Sequence, residues 1–118
     1  PSLVGSEMCI RDRKIDINRR TFSLANKTGG VSGPAIHPIA VRMVYQAANA
    51  VKVPVIGMGG IASSEDAIEM LLAGASAVSV GTANFHDPAV TAKIVDGIEA
   101  YMKKYGFETV ADMVGIVK

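Results

Sequence analysis

The fold of this chain is decided by Val53-Pro54-Val55-Ile56-Gly57-Met58-Gly59-Gly60-Ile61, an apolar run that ends in glycines. A second run of the same form follows at Ser76-Ala77-Val78-Ser79-Val80-Gly81. Buried strands that end at glycine and precede helix-start residues are typical of parallel βα units. In such folds ligands bind at the carboxyl ends of the strands. Because glycine exposes backbone N–H groups, we predict that the two loops bind a phosphate.

The composition limits the classes of protein to consider. The chain has 118 residues, enough for one modest domain, and is 49% hydrophobic. Its net charge of +1 gives no argument for binding nucleic acid, and its low aromatic content of 5% disfavours a base-stacking surface. No apolar run approaches the ~18 residues that a membrane span needs. The single cysteine, Cys9, excludes an internal disulfide framework or a zinc cluster and fits a cytoplasmic location.

The first residues differ from the rest of the chain. Residues 1–13 show neither helical nor strand periodicity and have no signal-peptide pattern. The sequence does not begin with Met. We therefore expect residues 1–13 to be a foreign or disordered tail and residues 14–118 to be a fragment of a larger domain. We predict no catalytic role for Cys9.

From Lys14 onward, alternation, helical spacing and capping residues predict a regular series of elements. The helix that begins at His37-Pro38 has an apolar stripe extending to Val51, and the helix that begins at Asp87-Pro88 has one that includes Val95. The predicted order is a hairpin (15–24), a loop (26–34), a helix from 37, a strand ending at 57–60, a helix (63–74), a strand ending at 81, a short helical turn (82–85), a helix (87–106) and a last short helix (109–117).

Several polar residues have ordinary structural explanations. Glu65, Asp66 and Glu69 follow the capping residue Ser63, where acids favour the helix start or lie on a solvated face. We expect His37 and His86 to be helix-start or surface residues, since neither is accompanied by a cluster of ligands. The loop 26–34 is equally well explained as a connector and as a loop that approaches a ligand.

Pattern alone leaves the architecture open between a doubly wound sheet and part of a barrel. No G-x-G-x-x-G motif opens a helix after a strand, and the glycines lack the Gly-Lys-Ser/Thr ending of a Walker loop. Two glycine-ended strands with a short helix after the second suit the last two strands of a TIM barrel. In that fold the loops after strands 7 and 8 commonly bind phosphate.

Three motifs, in order, resemble the C-terminal third of dihydroorotate dehydrogenase, and most of all the catalytic subunit of its NAD-linked class 1B type. They are Ala25-Asn26-Lys27-Thr28-Gly29-Gly30-Val31-Ser32-Gly33-Pro34-Ala35, then Ile56-Gly57-Met58-Gly59-Gly60-Ile61, then Ala73-Gly74-Ala75-Ser76-Ala77-Val78-Ser79-Val80-Gly81-Thr82-Ala83-Asn84-Phe85. The resemblance begins near Lys14. It implies an α/β fold, the C-terminal part of a TIM (β/α)8 barrel: strands 7 and 8 with their helices, preceded by a β-hairpin.

The resemblance also implies an FMN site. Gly33 would lie on the flavin side of the cofactor site. Gly59 and Gly60 would contact the FMN phosphate after strand 7. Gly81 and Thr82 would complete the phosphate site after strand 8. Ser32 is a weaker candidate. On this basis we expect Gly60→Val to weaken FMN retention in a full-length enzyme by crowding the phosphate. No metal ligand and no catalytic residue is predicted in this chain.

Such enzymes oxidise (S)-dihydroorotate to orotate in de novo pyrimidine (UMP) biosynthesis. Their class 1 catalytic base is a cysteine on an earlier loop, and Cys9 is not at the matching position, so we expect this chain alone to be inactive. The resemblance further implies a cytoplasmic homodimer of catalytic subunits, with a partner subunit that carries FAD and a 2Fe-2S cluster. It implies no nucleic acid and no membrane span. The alternatives are another phosphate-binding barrel, flavin-dependent or acting on a sugar phosphate, and a truncated product without function.

Overall fold

The computed structural model describes residues 11–117, with backbone only at residues 11 and 12. The chain divides into two compact units, Pro1–Val31 and Ser32–Lys118. Most of the predicted tail, including Cys9, lies outside the described residues, so its foreign origin stays a prediction. Between residues 11 and 117, no helix is long and apolar enough to cross a membrane.

The first unit contains two short antiparallel strand pairs. Strand β1 (Arg11–Asp12) pairs with β4 (Gly29–Gly30), and β2 (Ile15–Asp16) pairs with β3 (Thr21–Phe22). The pairing of β2 with β3 confirms the predicted hairpin. The Asp16 carboxylate closes the turn of this hairpin by accepting the backbone N–H groups of Asn18 and Arg19. The prediction of a plain loop over 26–34 is wrong at β4, which is paired.

The second unit alternates helices and strands in the predicted order. Its two strands, β5 (Ile56–Met58) and β6 (Ala77–Ser79), pair in parallel, with Ile56 opposite Ala77 and Met58 opposite Ser79. The elements are a 3-10 turn (Pro34–Ile36), α1 (His37–Ala50), β5 (Ile56–Met58), α2 (Ser64–Ala73), β6 (Ala77–Ser79), α3 (Ala83–His86), α4 (Val90–Tyr105) and a 3-10 turn (Val110–Met113). The last predicted helix is therefore only this 3-10 turn.

The ends of α2 form as the sequence predicts. The Ser63 hydroxyl accepts the backbone N–H of Asp66, and Gly74 ends the helix. Helix α4 begins at Val90, later than predicted, because the Asp87 carboxylate accepts the N–H of Ala89 at 3.0 Å and closes a turn ahead of the helix.

The core of the second unit forms where α2 packs against α1 and α4. Buried Ile68, Leu71 and Met113 form its centre, and partly buried side chains including Ile98 and Phe107 pack against them. Apolar side chains at this depth are the main source of stability in a domain of this size. Two residues of the predicted apolar stripes are exposed instead: Val51 is 41% exposed and Val95 is 62% exposed.

Candidate phosphate-binding site

The loops that follow β5 and β6 line one cavity together with the turn before α1. The volume of this cavity is about 400 Å³. The lining residues are Ser32, Gly33, Pro34, Gly60, Ile61, Ala62, Thr82, Ala83, His86, Asp87 and Val90. Two glycine-ended strands in parallel register bring their loops to the same edge of the sheet, which is why segments far apart in sequence meet here.

The cavity brings together three of the five predicted site residues. Gly33, Gly60 and Thr82 line it, one from each of the three segments, and so does the weaker candidate Ser32. Gly59 and Gly81 do not line the cavity, although each precedes a residue that does. Their direct contact with a phosphate stays a prediction.

Gly60 is the most constrained residue of the site. Its φ of 70° lies in the left-handed region, which L side chains rarely adopt. A Cβ at this position would lie 2.8 Å from the Gly33 carbonyl oxygen and 2.9 Å from the His37 backbone nitrogen. Only glycine therefore lets the loop after β5 approach the turn before α1 this closely.

Hydrogen-bond donors are available on both sides of the cavity. Among the hydrogen bonds of residues 11–117, none uses the backbone N–H of Gly60, Ile61, Thr82 or Ala83. The Thr82 side chain also makes no capping hydrogen bond to α3. Backbone N–H and hydroxyl groups without a protein partner suit an oxyanion such as phosphate.

Two ionisable residues line the cavity, His86 and Asp87. The Asp87 carboxylate lies 2.6 Å from Lys93 Nζ. The hydrogen bond from Lys93, followed by the one from the Ala89 N–H, holds the pKa of Asp87 below its ordinary value. Asp87 is therefore a carboxylate at neutral pH, and Lys93 offsets its charge beside the cavity.

His37 is a helix-start residue, as predicted, and it is also buried. It begins α1, and only 7% of its surface is exposed. The carboxylates of Asp66 and Glu69 lie against its ring, a proximity that the sequence pattern did not indicate. Across residues 11–117, no group of three His, Cys, Asp and Glu side chains could hold a metal ion.

Asp66 takes the capping role predicted for it. Its carboxylate accepts the N–H of Ala62 at 3.0 Å, at the start of α2. Sequence reasoning did not select Ile61, Ala62, His86, Asp87 or Val90 as lining residues. Ile61, Ala62 and Val90 carry no pattern that distinguishes them from core residues, and His86 and Asp87 had ordinary explanations at a helix start or on the surface.

Comparison with known proteins supplies a family. A profile described as dihydroorotate dehydrogenase matches residues 3–102 of the chain. The match therefore starts inside the segment expected to be a tail.

Curated relatives give the same result at higher identity. The chain is 60% identical over 105 residues to the dihydroorotate dehydrogenase B (NAD(+)) catalytic subunit of Lachnoclostridium phytofermentans, covering 89% of this chain and 35% of the relative. It is 57% identical over 101 residues to the protein of that name from Porphyromonas gingivalis, covering 86% of this chain and 33% of the relative. The chain thus spans about a third of the length of these relatives.

A solved structure shows the same similarity in three dimensions. The crystal structure of DHODH in complex with ferulenol from Eimeria tenella superposes with a TM-score of 0.71 at 27% identity. The superposition covers 89% of this chain and 29% of that chain. This neighbour and the α/β content fit a TIM-barrel enzyme.

Proposed function

The chain belongs to the dihydroorotate dehydrogenase family, and we propose that it is the part of such an enzyme that holds the phosphate of FMN. In this proposal the chain corresponds to the C-terminal part of the barrel, with β5 and β6 as strands 7 and 8. The observation that carries the proposal is the cavity on which Gly33, Gly60 and Thr82 converge.

The residues of the cavity fit a phosphate. The N–H groups of Gly60, Ile61, Thr82 and Ala83 and the Thr82 hydroxyl are donors on two sides of the cavity. Gly60 packs closely against Gly33, and Thr82 lines the same cavity. Asp87 is unfavourable for an anion, but its ion pair with Lys93 reduces that repulsion.

When bound, FMN would supply the flavin ring that accepts a hydride from dihydroorotate. This chain's own residues would fix the far end of the cofactor through its phosphate. Anchoring one end of a cofactor limits its movement and so places its reactive end. The family assignment favours this reading over a sugar-phosphate barrel.

The proposal extends to the complete enzyme. The relatives are named catalytic subunits of an NAD(+)-linked enzyme, which supports a separate electron-transfer subunit. We infer oxidation of dihydroorotate to orotate in pyrimidine biosynthesis, catalytic subunits paired as a homodimer, an FAD and iron–sulfur partner, and a cytoplasmic location. The catalytic base would come from a part of the enzyme that this chain does not match.

A direct test compares FMN with riboflavin, which lacks only the phosphate. Quenching of flavin fluorescence is measured as the 118-residue chain is added to each. We expect FMN to bind at least about tenfold more tightly than riboflavin. A tenfold ratio of the two dissociation constants corresponds to only ~1.4 kcal/mol of binding free energy. Equal binding of the two flavins, or no binding of either, would refute the phosphate assignment.

A further inference from the structure

His37 connects three segments around the cavity through a single buried ring. Its Nδ1 lies 3.1 Å from the carbonyl oxygen of Gly59, in the loop after β5. Its Nε2 lies 2.8 Å from a carboxylate oxygen of Glu69 and 3.6 Å from one of Asp66, both on α2. The ring therefore links the start of α1 to the loop and to the helix that follows it.

The direction of the first contact follows from its chemistry. A carbonyl oxygen can only accept, so Nδ1 must carry a hydrogen and donate it to Gly59. The contact at Nε2 is different in kind. Glu69 is close, yet among the described residues this buried nitrogen has no hydrogen bond of acceptable geometry. We therefore treat the Gly59 bond as directional and the proximity of Asp66 and Glu69 as electrostatic.

The loop after β5 contains two consecutive glycines and needs contacts from elsewhere to stay in one conformation. Gly59 and Gly60 both have left-handed φ values, of 117° and 70°. Consecutive glycines lose more conformational freedom on folding than other residues, so an external contact is needed to keep one conformation populated. The far end of the loop is fixed separately, since the Asp66 carboxylate accepts the N–H of Ala62.

Gly60 and Ile61 lie between these two fixed points, and both line the cavity. Gly60 also packs directly on His37, whose Cβ would lie 2.8 Å from a Cβ at position 60. We propose that His37 is a positioning residue that holds the loop 59–62 in its phosphate-binding conformation through the Nδ1–Gly59 hydrogen bond. This inference rests on the proposed FMN function.

Two substitutions separate the two ring nitrogens. In His37→Asn the side-chain amide nitrogen takes roughly the place of Nδ1 and can still donate to Gly59. In His37→Gln the amide nitrogen takes roughly the place of Nε2, so the Gly59 carbonyl loses its donor. Each variant of the 118-residue chain is titrated with FMN and with riboflavin. Ile68→Val changes a core residue that does not line the cavity, and it serves as a control for lost stability.

We expect His37→Gln to weaken FMN binding about tenfold, the effect expected from leaving the partly buried Gly59 carbonyl unpaired. Its riboflavin binding should not change. His37→Asn should bind FMN within about twofold of the unmodified chain, and Ile68→Val should keep the ratio of FMN to riboflavin affinity. The proposal is overturned if both His37 variants bind FMN like the unmodified chain, or if both lose FMN and riboflavin equally.

A measurement on the unmodified chain covers the case in which the variants fail to fold. Nitrogen-15 NMR of the imidazole ring reports which nitrogen carries hydrogen. The proposal requires a protonated Nδ1 with and without FMN, and an Nδ1 without hydrogen would overturn it. If the unmodified chain does not distinguish FMN from riboflavin, both the proposed function and this inference fail; equal effects of the variants on a chain that does distinguish them overturn the inference alone.

Discussion

The substitution Gly60→Ala tests the close packing of the site. The new methyl carbon would lie 2.8 Å from the Gly33 carbonyl oxygen and 2.8 Å from the His37 Cβ. Both distances are below contact, and one of the atoms is backbone that cannot rotate away. The residue must also keep a φ of 70°. The structure therefore predicts a loss of stability in addition to the loss of FMN retention that the resemblance implies for Gly60→Val.

The expected loss of folding stability is the sum of two free-energy costs. A left-handed conformation costs a residue with a Cβ roughly 1–2 kcal/mol relative to its preferred conformation. Overpacking costs roughly 1–3 kcal/mol more. Together these costs are about 2–5 kcal/mol, a large part of the ~5–15 kcal/mol that stabilises a typical domain.

Urea unfolding measures the effect. With a typical slope of ~1–3 kcal/mol per molar urea, the midpoint of Gly60→Ala should fall by about 1–2 M. Gly81→Ala is the matched control, because a Cβ there meets nothing within 4 Å and φ is outside the left-handed region. We expect its stability to change by less than ~0.5 kcal/mol. If Gly60→Ala unfolds at the same urea concentration as this control, the packing account of the site is wrong.

Three further predictions concern the helix cap, the surface ion pair and the reaction. Ser63→Ala removes the hydroxyl that caps α2 and should destabilise the chain by about 1 kcal/mol in urea unfolding, whereas no change would contradict the capping role. The lowered pKa of Asp87 means that its bond with Lys93 contributes stability above the ordinary value of 3.8 and loses it as the pH falls through the folded-state pKa. The small stability difference between the unmodified chain and Lys93→Met should therefore be present at pH 7 and absent in strong acid; a difference that persists there would contradict it. Adding dihydroorotate to the FMN-loaded 118-residue chain should not bleach the flavin absorbance, and measurable bleaching would show that the chain carries its own base.

Local signals in the sequence were sufficient for both ends of α2. Ser63 and Gly74 specify the ends of α2 through contacts with neighbouring residues, so their roles can be derived without tertiary structure. The start of α4 was missed because Asp87-Pro88 suits both a helix start and a preceding turn. Val51 and Val95 were predicted to belong to buried apolar stripes but are exposed. Helical periodicity identifies the apolar face of a helix but does not show how far the packing on that face extends.

The site was predictable where it depends on backbone and unpredictable where it depends on distant side chains. Gly33, Gly60 and Thr82 were selected through the family resemblance, and the glycine-ended strands, which place their loops at one edge, agree with the choice of Gly60 and Thr82. His37 could not be selected, because its hydrogen bond to Gly59 spans 22 residues and its two carboxylates lie on another helix. A single histidine at a helix start looks the same in sequence whether it is exposed or buried against a loop.

In the proposed function, the loops after β5 and β6 and the turn before α1 hold the phosphate of FMN. Amide chemical shifts of the nitrogen-15-labelled chain, recorded as FMN or riboflavin is added, test this assignment residue by residue. We expect FMN to shift the amides of Gly33, Gly60, Ile61, Thr82 and Ala83, and riboflavin to leave those of Gly60 and Thr82 nearly unmoved. Shifts that spare these amides when FMN binds, or that are the same with riboflavin, would contradict it.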